Sequence, residues 1–160
     1  MMELHTVPVG DTLAQDVREG LTRPAKELPP KHFYDARGSE LFEQITALPE
    51  YYPTRAEREI LLAHAGDIAA ATRATELVEL GPGSAEKTVV LLRALAAQGT
   101  LRRYAPVDVS QTAVQMAAAN VADELPELPV QGLVGDFERD LGRLPEAEGG
   151  RLVGFLGGTL

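Results

Sequence analysis

Two regimes of hydrophobic patterning divide the chain near residue 74. Before that point, apolar residues recur at helical spacing. Asp11 is placed to cap a short helix with Leu13, Val17 and Leu21 along one side and Gly20 near its end. Gly38 and Ser39 open a second helix, with Leu41, Phe42, Ile45 and Leu48 on one face and Pro49 as its stop. Thr54 and Glu57 have the spacing of a capping box for a third, running to about Thr72. Between the first two helices, residues 22–36 carry Pro24, Pro29 and Pro30 and predict an extended loop. Structureless loops of that length in compact domains are often functional, and this one holds the aromatic run HFYD. From residue 76 the pattern alternates, with strand signals at 76–80, 103–108, 129–134 and 151–156. Helical signals separate the first three strands, one from Ser84 to about Ala97 and one from Ser110 to about Leu125. Alternating strands and helices predict an α/β fold with a parallel, doubly wound sheet of four strands. Residues 1–73 are expected to form an N-terminal helical segment with substrate-side loops, and residues 74–160 the sheet domain.

Ligands of such sheets bind outside the carboxyl ends of the strands, near the point where strand order reverses. Three sequences lie at those ends: the loop ELGPGSAEKT from Glu79 to Thr88, Asp108, and Gly135-Asp136-Phe137. The first nearly matches both a P-loop and a dinucleotide fingerprint, and Glu86 stands where each requires a glycine. A carboxylate in the first turn of a helix suits the macrodipole but repels a polyphosphate. The expected ligand therefore carries less negative charge than a nucleotide di- or triphosphate. Gly81 and Gly83 let the backbone approach a ligand, and Ser84 begins a helix whose free amides, with Lys87, suit a carboxylate. Asp108 is placed to accept from ribose hydroxyls, and Asp136 from an adenine amino group beside the Phe137 ring. Together these describe S-adenosylmethionine, which has one carboxylate, one ammonium, one sulfonium and no phosphate. Each position also has a plainer reading: a tight turn for the glycines, a turn and helix cap for Asp108 with Ser110, an ordinary turn for Asp136, a solvated helix lysine for Lys87.

Composition narrows the partners. With 44% hydrophobic and 24% charged residues the chain is expected to fold as one globular unit. A net charge of −9 argues against a nucleic-acid or anionic-membrane surface and favours a small-molecule ligand. There is no cysteine, so disulfides, thiolate chemistry and sulfur-ligated zinc are excluded for this sequence. His5, His32 and His64 share no metal-ligand spacing, and no metal is expected. No apolar run long enough to span a membrane and no secretory start is present, which makes the cytoplasm the expected location.

The stretch LPPKHFYDARGSELFEQITALPEYYPTRAE, followed by ELGPGSAEKT, PVDVS, GDFERDLG and LVGFLGGTL, resembles the histidine-specific S-adenosylmethionine-dependent methyltransferases that begin ergothioneine biosynthesis. The resemblance runs from about Leu28 to Leu160, and its most specific part is the FYD, GS.LF and LPEYYPTR series. It implies a class I methyltransferase, Rossmann-like sheet and three successive methyl transfers to the α-amine of L-histidine, giving hercynine. It also implies cofactor contacts at Gly81, Lys87, Asp108 and the Asp136-Phe137 pair, and substrate contacts from Tyr34 and Tyr51. Read without the family, Tyr51-Tyr52 is a packed aromatic turn between Pro49 and Pro53. No catalytic base is assigned. Family members continue well beyond the position matching Leu160, so the expectation is either the N-terminal half of a longer, monomeric enzyme, inactive alone, or a remnant that binds the cofactor without catalysis. A nucleotide-phosphate enzyme fits least, because of Glu86.

Overall fold

The computed structural model describes residues 2–7, 13–33 and 36–157. Five parallel strands form one sheet in the order β1-β4-β3-β2-β5: β1 Met2–Thr6, β2 Glu76–Leu80, β3 Arg103–Asp108, β4 Val130–Val134 and β5 Arg151–Gly154. The last four lie at the predicted positions, the third one residue and the fourth two residues shorter. The first was not predicted. Met2–Thr6 runs along β4 with Met2 opposite Val130 and Thr6 opposite Val134, and most of its side chains are exposed on both faces. A short, solvated edge strand has too few apolar positions to announce itself by alternation. The N-terminal segment is thus not purely helical, since its first residues complete the far edge of the sheet.

Among the described residues six α-helices accompany the strands: α1 Leu13–Gly20, α2 Ala36–Thr46, α3 Pro53–Thr72, α4 Glu86–Ala97, α5 Gln111–Glu124 and the single turn α6 Phe137–Asp140. Asp11, the expected cap of the first helix, lies outside the described residues. The long loop is broken by a 3₁₀ turn at Pro30–Phe33. The Thr54–Glu57 capping box does not form. Pro53 occupies the first helical turn, where its fixed φ suits the helix, and Glu57 points elsewhere. On α2 the predicted apolar face is only partly covered: Leu41, Ile45 and Leu48 are all exposed, while the Phe42 ring meets Tyr51.

One face of the sheet, presenting Leu77, Tyr104 and Val130, is covered by α3, α4 and α5 through Ala65, Ala69, Leu92, Leu95, Ala117 and Val121. Leu92 and Leu95 are fully buried, each contributing about 1.5–3 kcal/mol of burial free energy. The glycine in β4 answers to this packing. A Cβ on Gly132 would meet Val114 Cγ1 at 2.4 Å, so α5 approaches the sheet more closely than any side chain there permits. The opposite face carries Val78, Ala105, Val107 and Leu133, capped by Val7, Phe137, Leu141 and Leu144. At the amino ends of the strands Glu76 is buried between two guanidinium groups, accepting from Arg103 Nε at 2.5 Å and from Arg151 Nε. That arrangement ties β2, β3 and β5 together. β5 forms the other edge of the sheet, with Val153 about half exposed.

Candidate cofactor site at the carboxyl ends of the strands

The ladder is extended at the carboxyl ends by two backbone hydrogen bonds. Gly81 N donates to Val107 O at 2.9 Å, and Gly135 N donates to Asp108 O at 2.9 Å. These bonds bring the three predicted positions to adjacent strand ends. Gly81 follows Leu80, which lies opposite Val107, and Asp108 lies opposite Val134, two residues before Asp136, so the row of strand ends from β2 to β4 spans two strand spacings, about 10 Å. That matches the extent of a nucleoside with a short tail. The strand order also reverses here, since α4 leads from β2 to β3 on one side while β5 pairs with β2 on the other.

The loop after β2 is a chain of left-handed residues. Gly81 has φ 65°, Gly83 φ 53° and Ala85 φ 57°. The glycines adopt this conformation freely, whereas Ala85 carries a cost of about 1–2 kcal/mol. Ser84 does not cap α4: Ala85 takes that position with no side-chain cap, and Ser84 O instead accepts from Asn120 Nδ2 at 2.7 Å. A Cβ at Gly81 would meet only Phe155 Cε2, at 4.0 Å, so the loop leaves room above it. Glu86 sits exposed in the first turn of α4, as a dipole-compatible carboxylate should.

Lys87 is ion-paired with Glu57 of α3, and Glu57 accepts from Gly157 N at 2.8 Å with its other oxygen. The first turn of α3, the first turn of α4 and the segment after β5 therefore converge beside the glycine loop. Lys87 has three donors, so the pair with Glu57 leaves capacity for a carboxylate ligand.

Beneath the loop, Glu79 is 2% exposed, accepting hydrogen bonds from Thr88 Oγ1 and from Tyr104 Oη at 2.5 Å. Burial pushes its carboxyl up to about 7, against the opposing pull of the two hydroxyls and Lys87. Burial and the Glu79 charge together push the Tyr104 phenol well above its ordinary value. Glu79 thus faces the core beneath α4.

Asp108 is half-buried at the end of β3, its Oδ1 accepting from Ser110 N at 2.8 Å. Burial raises its pKa, and the amides of Ser110 and Val109 offset part of that rise. Ser110 caps α5 as predicted, its side chain accepting from Ala113 N at 3.3 Å. Asp136 is 8% exposed and caps α6 by accepting from Glu138 N at 3.0 Å, while its own N donates to Asp140 Oδ2. Its other oxygen is met by Lys31 Nζ at 3.2 Å. The Phe137 ring is turned into the second core cluster and lies 5.9 Å from the Phe155 ring.

On the substrate side, Tyr34 lies outside the described residues. Tyr51 is half-buried and meets Phe42 edge-on at 6.0 Å, within a turn clasped by Arg55, which donates to Leu48 O and Pro49 O. Of the packed aromatic turn read from sequence, Tyr51 is packed and Tyr52 is exposed. Lys31 and Glu57 had drawn no functional reading, one sitting inside a quoted motif and the other assigned to a cap. Among the described residues no cluster of metal-ligating side chains occurs, and no helix is long and apolar enough to cross a membrane.

The donor set fits S-adenosylmethionine: a loop with space above it, an ammonium for the carboxylate, and carboxylates for ribose and amino groups. Comparison with known proteins points the same way. The chain is 50% identical over 150 residues to the histidine N-alpha-methyltransferase of Mycolicibacterium smegmatis, covering 94% of this chain and 46% of that protein. It is 50% identical over 148 residues to the enzyme of the same name from Mycobacterium tuberculosis, covering 92% and 46%. A more distant relative, ergothioneine biosynthesis protein 1 of Neurospora crassa, is 35% identical over 124 residues, covering 76% of this chain and 14% of that protein. The chain thus spans about half the length of the mycobacterial relatives it matches. Residues 13–160 match the family model for the histidine-specific, S-adenosylmethionine-dependent methyltransferases, and the chain belongs to that family.

Proposed function

We propose that this chain is the cofactor-binding part of an L-histidine Nα-methyltransferase, which trimethylates the α-amine of histidine to hercynine on the way to ergothioneine. The observation that carries the reading is the row formed by Gly81, Asp108 and Asp136 on three adjacent strand ends, with Lys87 at its β2 side. In it residues 74–160 hold the cofactor, through Gly81, Gly83 and Lys87 at the amino-acid end, Asp108 at the ribose, and Asp136-Phe137 at adenine. Ser84 contributes through the backbone of the turn rather than as a helix cap. Residues 1–73 supply the substrate side through Tyr34 and Tyr51.

Bound S-adenosylmethionine supplies an electrophilic methyl group on a sulfonium. The chain's task is then to place a neutral amine in line with that methyl group and to exclude water, and such positioning supplies roughly 7–11 kcal/mol of a barrier. No residue of this chain has to act as a covalent nucleophile. Recognition of the histidine imidazole and carboxylate needs several converging polar groups, and Tyr34 and Tyr51 alone do not provide them. We accordingly place the remaining substrate contacts in the part of a longer polypeptide that this chain does not include, and expect the 160-residue chain by itself to be inactive. The working form is a cytoplasmic monomer.

Calorimetric titration with S-adenosylhomocysteine and with ATP tests the site. Binding of the first and not of the second supports the reading, because Glu57 pairs with Lys87 and the exposed Glu86 stands in the first turn of α4, where both oppose a polyphosphate. Tight ATP binding at moderate salt would return the loop to a P-loop role.

A further inference from the structure

Asp136 does not meet its ligand alone. Lys31, in the 3₁₀ turn Pro30–Phe33, reaches across 105 positions of sequence to place Nζ 3.2 Å from Asp136 Oδ2. The same ammonium lies 3.2 Å from Asp16 Oδ2 on α1, and His32 Nε2 lies 2.8 Å from that oxygen. All four side chains are largely shielded, with relative exposures of 23% for Lys31, 11% for Asp136, 14% for Asp16 and 19% for His32. Burial works against the Lys31 charge, but its bonds to Asp136 and Asp16 outweigh it and leave the pKa above its ordinary value. Asp140, the other acidic group at this end, binds Asp136 N and Arg143 Nε and so is occupied locally.

The consequence is a carboxylate fixed at both oxygens. Oδ1 is held by Glu138 N and Oδ2 by Lys31, so the carboxylate is oriented at both oxygens, and a carboxylate can only accept. An acceptor-only group rewards a donor and penalises another acceptor. A 6-aminopurine presents a donor at that edge, and a 6-oxopurine presents a carbonyl oxygen. Without the ammonium, Oδ2 loses the contact that fixes its direction, and with it the alignment on which discrimination between the two depends.

We propose that Lys31 is a positioning residue for nucleobase selection, holding Asp136 as a fixed acceptor so that the site takes a 6-amino nucleoside and rejects its 6-oxo counterpart. This rests on the reading of the site as one for an adenosyl cofactor. It adds a function for the PPK element of the motif and links the turn preceding Tyr34 to the adenine end of the cofactor.

The test compares two ligands, S-adenosylhomocysteine and S-inosylhomocysteine, by calorimetry on the native full-length polypeptide and on its Lys31→Met, Lys31→Gln and Lys31→Arg variants. Because both ligands are titrated into one preparation, their affinity ratio does not depend on the folded fraction, and a merely structural role for Lys31 leaves it unchanged. The parent is expected to prefer the amino ligand by about a hundredfold, the size of one lost hydrogen bond to a charged group. Lys31→Met and Lys31→Gln are expected to cut that preference by about tenfold, and Lys31→Arg to keep most of it. An unchanged ratio in both neutral variants, or no preference in the parent, overturns the role of Lys31 while leaving the cofactor reading in place. Failure of the parent to bind S-adenosylhomocysteine at all overturns the cofactor reading itself and this inference with it.

Discussion

Replacing Glu79 with glutamine should make the protein more stable at alkaline pH and not at acidic pH. Glu79 is buried under the glycine loop with only Thr88 and Tyr104 hydroxyls as direct partners, and its carboxyl is raised from an ordinary 4.5 to about 7. The folded chain therefore holds this proton more tightly than the unfolded chain does. Stability from the protonated form is complete below about 4.5 and is lost as pH rises through about 7. At 1.36 kcal/mol per pKa unit the loss amounts to about 3 kcal/mol. Glutamine carries no charge at any pH, so the variant escapes that loss. Its amide must donate into a site that previously received two donors, and turning one hydroxyl round to accept costs about 1 kcal/mol. The expected result is a variant equal to or about 1 kcal/mol below the parent at pH 5 and about 2 kcal/mol above it at pH 8.5. Urea denaturation followed by circular dichroism across pH 5–9 measures this, and the difference between the two curves cancels every other titrating group. A difference independent of pH would mean that Glu79 is already ionised at low pH and that burial does not govern it.

Asp108→Ala should weaken S-adenosylhomocysteine binding by about 1.5–3 kcal/mol, the range for hydrogen bonds to a charged group, and calorimetry showing an unchanged dissociation constant would remove Asp108 from the ribose. Glu76→Ala should destabilise the fold by about 3–5 kcal/mol in urea, because Arg103 and Arg151 are left facing each other at the opposite end of the strands, and destabilisation below about 1 kcal/mol would show that the guanidinium groups find water instead. Leu92→Ala, at a fully buried position between α4 and the sheet, should cost about 2–5 kcal/mol in the same assay, and a loss under 1 kcal/mol would show that the core collapses around the gap.

β2 and β3 were found to the residue because each is a short run centred on β-favouring residues, ELVEL and RYAPVD, closed by turn residues. β1 was missed because an edge strand with exposed side chains carries no such run. Ser110 acts as the predicted helix cap because a cap depends on neighbours two or three positions away, which sequence displays, whereas the cap that Asp136 supplies to the single turn α6 was read only as a turn. The same logic failed at Thr54 and Ser84, where Pro53 and the left-handed Ala85 set the helix starts instead. The ion pairs that shape the site, Lys31 with Asp136 and Glu57 with Lys87, join residues 105 and 30 positions apart, and no local pattern encodes such partners.

The most direct measurement of the central claim is mass-spectrometric analysis of L-histidine incubated with S-adenosylmethionine and the native full-length polypeptide that contains these residues, with the 160-residue chain assayed in parallel. The account predicts mono-, di- and trimethylated histidine, all on the α-amine, from the longer form and none from the shorter. Absence of methylated histidine with the longer form, under conditions where it binds S-adenosylhomocysteine, would contradict the assignment of histidine as substrate. Its production by the 160-residue chain at a comparable rate would show that the substrate site lies wholly within these residues.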